Sequence, residues 1–135
     1  MRASTGTVTM LTDYYAAMEA NTPDEFSSYY ADDMTLTFGN SPEIKGRADI
    51  TAAFSAKLNE VASLGHDLVN VWEEDGGVVF FESIGRWTLL DGEVVEIKAA
   101  SKITILNGKF VDQRIYVDNA PVDEALKRET ARRTA

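Results

Sequence analysis

After Gly65 the apolar residues of this chain settle into a period of two, and that change limits what the chain can fold into more than any single motif does. Ahead of it, Val8, Leu11, Tyr15 and Met18 recur at steps of three and four, the spacing of one face of an amphipathic helix. Thr22 and Pro23, with Glu25 following, read as the N-cap and first turn of a short second helix carrying Phe26, Tyr29 and Tyr30 and closing at Asp32 and Asp33. Met34 to Phe38 alternates as a strand, and the turn-forming run GNSPEIKG after it reads as a loop. Arg47 to Leu64 returns to the helical period through Ile50, Phe54, Leu58 and Val61, with Gly65 at the left-handed position that commonly ends a helix.

Beyond Gly65 the period is two, broken by turn signals at Asp75-Gly76-Gly77, Asp91-Gly92 and Asn107-Gly108. Four hairpin-connected strands follow, near 66–74, 78–90, 93–106 and 109–118. The order is therefore α-α-β-α-β-β-β-β, an α+β class. Strands of up to about 13 residues fit only a twisted, bent sheet, and its apolar face must be covered by the helices. A bent sheet covered on its inner side makes a cone, and one long helix fills only part of it. The expectation is a cone-shaped domain with an apolar pocket between helices and sheet.

At 135 residues the chain suits one domain, drawn here over residues 1–122 with a charged tail or helix over 123–135. Lys127, Arg128, Arg132 and Arg133 alternate there with Glu124 and Glu129, as in a solvated segment. The absence of cysteine removes disulfides, thiolate metal sites and cysteine nucleophiles. A net charge of −9 argues against nucleic acid and anionic membrane as partners, because phosphate binding depends on clustered cations. The sequence holds neither an apolar run of membrane-spanning length nor a signal-like start, so a cytoplasmic location is expected. One histidine without a thiolate cannot assemble the usual transition-metal ligand set, and neither metal nor cofactor is expected.

The opening helix with Tyr14-Tyr15, the stretch LTFGNSPEIKGRADI, the turn Asn107-Gly108-Lys109 and the final strand RIYVD together resemble the nuclear-transport-factor-2-like superfamily over residues 8–122. Within it, the pattern is similar to the SnoaL-like polyketide cyclases and their relatives ketosteroid isomerase and limonene-epoxide hydrolase. The resemblance implies a cone-shaped fold and proton-transfer chemistry on a small hydrophobic molecule. It also exposes departures. The cyclases' acid on the last strand falls on Ile115. The hydrolase's acids and arginine fall on Ser83, Gly85 and Ile115, while its loop is kept as Phe38-Gly39-Asn40-Ser41-Pro42. The isomerase's base falls on Thr37 and its protonated acid on Ser101, with Tyr15 or Tyr14 left as hydroxyl donor.

Three residues stand as catalytic candidates: Asp118, which ends RIYVD; His66, the single histidine and the natural proton carrier near neutral pH; and Tyr15. Alternation puts Gln113, Ile115 and Val117 on one face of the last strand and Asp118 on the other, so Asp118 reaches a pocket lined by Ile115 only if a bulge reverses the alternation. The alternative for Asp118 is a capping carboxylate, and for His66 a structural histidine at a strand start. Phe38, Asn40, Phe54, Trp72, Trp87, Ser101, Gln113 and Ile115 are the candidate ligand contacts, with a core or turn role as the competing reading for each aromatic and for Asn40. Lys98, beside Glu96, reads as solvent-facing. Three functions fit: a SnoaL-like enzyme performing isomerisation, cyclisation, dehydration or hydrolysis; a non-catalytic binding module for a small hydrophobic ligand, favoured by the missing acids; and an association domain whose open sheet face pairs with a second copy in a homodimer.

Overall fold

The computed structural model describes residues 1–134. Helix α1 (Thr5–Glu19) opens on Ser4, whose side chain accepts the N–H of Thr7, and α2 (Pro23–Ser27) follows with Pro at its first position. Strand β1 (Tyr30–Phe38), the two-residue strand β2 (Ile44–Lys45) and α3 (Arg47–Leu58) precede the four long strands β3 (Ser63–Glu74), β4 (Val78–Thr88), β5 (Val94–Leu106) and β6 (Lys109–Val117), and α4 (Ala120–Thr134) ends the described chain. The sheet runs β2-β1-β6-β5-β4-β3. Every pairing is antiparallel except β1 with β6, which is parallel. The sheet is thus mixed and open, and α1, α2 and α3 cover one face.

Asn107 and Gly108 both have positive φ, at 52° and 74°, the conformation a two-residue hairpin turn demands. The turn pairs Leu106 with Lys109 and Ile105 with Phe110, and an irregularity that leaves Val111 without a partner then shifts β5 and β6 into the register in which Ser101 faces Ile115 and Ile103 faces Gln113, and so decides which polar side chains look inward.

The structure corrects the sequence reading at four places. The α3 helix stops at Leu58, not Leu64, because the chain is drawn into the sheet: Ala62 N–H donates to Thr88 O at 2.8 Å and Leu64 pairs with Trp87. Gly65 is accordingly a strand residue. Tyr30 belongs to β1 rather than to α2, held where Phe110 N–H reaches the neighbouring Tyr29 carbonyl. Part of the GNSPEIKG loop forms β2. The C-terminal segment is a docked helix, not a solvated one: Val122, Ala125 and Glu129 are buried, and Glu129 accepts the N–H of Asp91 in the β4–β5 turn.

The core is aromatic at the closed end. Tyr14, Phe26, Tyr30 and Phe110 are essentially inaccessible. Tyr14 meets Phe110 edge-on at 5.0 Å, a favoured geometry for aromatic quadrupoles, and its hydroxyl lies 2.6 Å from that of Tyr30.

Candidate functional site

Helices α1 and α3 do not fill the concavity, and a partly enclosed cavity of about 170 Å³ remains between them and the sheet. An apolar cavity of roughly 150 Å³ accepts benzene, so this one suits a single-ring body. Its walls follow the cross-strand rows. Ser101, Ile115 and Phe38 form one row, and His66, Gly85 and Ile97 another. Tyr15 and Met18 from α1 and Phe54 from α3 close it from above. Most of the lining is apolar. The polar minority includes Tyr15, His66, Ser83, Ser101 and Gln113.

Of the eleven residues singled out from sequence, eight border this cavity: Tyr15, Phe38, Phe54, His66, Trp87, Ser101, Gln113 and Ile115. Three do not. On β6 Phe110 is buried ahead of the irregularity in the pairing with β5 at Thr104/Ile105, and beyond it Gln113, Ile115 and Val117 face inward with no further irregularity up to the strand end. Asp118 therefore stays on the outer side, where its Oδ1 accepts the N–H of Ala120 at 3.0 Å, a capping role. Trp72 is turned outward by a bulge between Leu68 and Asn70: His66 and Leu68 face inward, the extra residue Val69 reverses the parity, and Trp72 lands beside exposed Phe80. Asn40 is exposed in the turn after β1.

The environment of His66 defines the chemistry. Its ring lies 4.4 Å from that of Tyr15, centre to centre. Burial, reinforced by the Arg86 guanidinium and opposed by Asp67, lowers its pKa to about 4, so the imidazole is neutral at pH 7. The Arg86 charge is itself taken up by Asp67 through contacts of 2.5 and 3.1 Å. Glu19, the last residue of α1, accepts the backbone N–H of His66 at 2.5 Å, and the same oxygen stands 3.5 Å from Nδ1. Tyr15 is pushed well above its ordinary range by burial first and by Tyr30 second, with the approaching Gln113 amide working the other way. Its phenol remains a donor throughout the working pH range.

Sequence reasoning missed Glu19, which no local signal connects to a residue 47 positions on. It also missed two partly exposed residues bordering the cavity, Lys57 and Asn119, both of which carried a signal. Lys57 lies three residues after Phe54 on α3, and Asn119 continues the series Gln113, Ile115, Val117. Among the described residues no helix is long and apolar enough to cross a membrane, and no cluster of His, Asp or Glu could hold a metal ion.

An open mixed sheet wrapped around helices, with a largely apolar cavity in its hollow, defines a nuclear-transport-factor-2-like cone domain. The chain belongs to the SnoaL-like family: the profile described as SnoaL-like domain matches residues 11–113. Its structure is similar to that of a SnoaL-like polyketide cyclase from Jannaschia sp. CCS1, at 16% identity and TM-score 0.77 over 93% of this chain and 96% of that one. A Bacillus subtilis protein assigned as an isomerase is similar at 19% identity and TM-score 0.77, over 89% and 91% of the two chains. TerC, co-crystallised with polyporic acid, is similar at 15% identity and TM-score 0.75, over 89% and 97%. At such identities the likeness is one of fold. No curated protein matches the chain.

Proposed function

We propose that this SnoaL-like domain is an enzyme that moves a proton on a small, largely apolar molecule held in the cone, with His66 as base and Tyr15 as hydrogen-bond donor. The observation that carries this reading is a neutral imidazole bordering an apolar cavity next to a protonated phenol. A base with pKa about 4 is weak, but an aspartate of pKa about 4.6 suffices in ketosteroid isomerase for a carbon acid next to a carbonyl. His66 would take the proton from that carbon. The C–H electron pair would become the C=C bond of an enolate as the carbonyl π pair moves to the oxygen, which Tyr15 O–H would stabilise, and the imidazolium would return the proton to the same or a neighbouring atom. The acids missing at Thr37, Ser101 and Ile115 would thus be replaced by an imidazole from β3.

Deuterium incorporation into phenylacetone in D2O, followed by NMR, tests this. The wild type is expected to accelerate exchange and His66→Gln to lose roughly 100-fold or more of that acceleration, with Asp118→Asn unchanged. Equal exchange by wild type and H66Q would sink the catalytic reading and leave the binding module, which the neutral residues at the familiar acid positions favour.

We further propose that the outer sheet face pairs with a second copy. Trp72, Phe80 and Tyr116 are exposed there, among Lys98, Arg114, Glu82 and Glu96, and such mixed charge is self-complementary under two-fold symmetry. Sedimentation of Phe80→Glu is expected to show weakened association; a wild type that stays monomeric at every concentration would remove the proposal.

A further inference from the structure

We infer that the molecule taken by the cavity is an anion, a carboxylate joined to a single-ring apolar body, with the ring in the cone and the carboxylate at the mouth against the Lys57 ammonium. This rests on the reading that the cone holds the ligand. The cavity wall grades from inaccessible to partly exposed. Tyr14, Leu36 and Ser101, at most 4% exposed, form its depth. Phe38, Lys57, Val117 and Asn119 are partly exposed and form its outer end, where β1 and β6 finish and α3 makes its last turn.

The charge along this wall is one-sided. The chain carries 22 acidic residues, yet among the described residues no Asp or Glu borders the cavity. With His66 neutral, Lys57 is the one bordering side chain that is ionised at pH 7. A cationic ligand would meet a like charge at the rim and a neutral one would gain nothing from it, so the lining favours an anion. Lys57 follows Phe54 by three residues, which puts both on one face of α3. A lysine so placed lays its methylene stem along apolar surface and keeps its ammonium in water. Its side chain is 38% exposed, and Nζ stands 3.5 Å from Oε2 of Glu60 in an exposed pair. Such pairs are weak, so a carboxylate held close by a ring seated in the cone competes with Glu60 at high effective concentration. An anchor at the mouth also decides which end of the molecule enters first, the uncharged end going toward buried Tyr15.

The test compares 4-methylbenzoate with 4-methylbenzamide, near-isosteres that differ in charge, by calorimetric titration at low salt of the wild type, Lys57→Gln and Glu60→Gln. The ratio of dissociation constants, amide over carboxylate, is expected to fall about threefold to fivefold in K57Q and to rise in E60Q, the hydration difference between the probes cancelling between proteins. Added salt is expected to weaken carboxylate binding to the wild type and to leave amide binding unchanged. Lys57 is partly exposed on the last turn of α3 and Gln is as good a helix former, so K57Q keeps the fold. A ratio unchanged in K57Q overturns the anion anchor and, with the amide still bound, leaves the cavity as the ligand site; failure of both compounds to bind the wild type overturns the cavity reading as well.

Discussion

The Glu19 carboxylate at the end of α1 accepts the backbone N–H of His66 at 2.5 Å while standing 3.5 Å from the same residue's Nδ1, so one side chain ties the first helix to the strand that carries the proposed base. Tyr15, Arg86 and Asp67 are the other polar groups around the imidazole. Folding lowers the His66 pKa from 6.5 to about 4. Below about pH 6.5 the unfolded chain therefore binds a proton that the folded chain refuses until about pH 4. Stability is full above pH 6.5 and declines as the pH falls through that window, by at most about 3 kcal/mol, less to the extent that Glu19 accommodates the imidazolium. Urea midpoints between pH 7 and 4 are expected to fall in the wild type beyond what His66→Gln shows. Glu19→Gln, which keeps the acceptor but loses the charge, should lower the His66 pKa further in an NMR titration.

The hydroxyl pair Tyr14–Tyr30 at 2.6 Å is buried, and each phenol is pushed up principally by burial. Removing one hydroxyl strands the other. Tyr14→Phe and Tyr30→Phe are each expected to cost about 1–2 kcal/mol, and the double variant clearly less than the sum. Chemical denaturation of the four proteins measures this coupling; strict additivity would contradict it.

Glu129 is 1% exposed and accepts the Asp91 N–H at 2.9 Å, while Arg132 and Arg128 pair with Asp91 and Glu93 in the same turn. Glu129→Ala leaves the Asp91 N–H without an acceptor and should cost about 1–3 kcal/mol. Glu129→Gln retains an acceptor and should cost less. The surface pairs contribute little singly, so Arg128→Ala is expected to lie within about 0.5 kcal/mol of wild type. Thermal unfolding of the three variants separates the buried acceptor from the exposed charges.

Gly77 has φ +77° and a Cβ there would sit 2.0 Å from Ile105 O, the residue whose N–H donates to Gly77 O at 2.8 Å. Gly77→Ala combines a left-handed backbone with a collision against backbone, and is expected to destabilise by at least about 2 kcal/mol. Gly76→Ala, with φ +82° but open space around it, should cost less. A reversed order in denaturant midpoints would refute the steric argument.

The period change at Gly65 and the three Gly-containing turns were enough to determine four antiparallel strands and the helices ahead of them, because side-chain alternation and turn chemistry are local properties. They were also enough to place Ile115 and Gln113 on one face and to set Asp118 against it. Trp72 escaped because Val69 adds one residue to β3, and a bulge leaves no mark in a pattern that tolerates either parity. The end of α3 escaped for a related reason: Val61 and Leu64 keep the helical period and are buried either way, and only the Ala62–Thr88 bond across the sheet decides that they leave the helix. Glu19 beside His66, and the buried Gln113 at the cavity wall with its Oε1 unpaired, were decided by tertiary structure alone. Their roles come from distances between segments far apart in the chain, and such distances exist only once sheet curvature has brought α1 over β3 and β6.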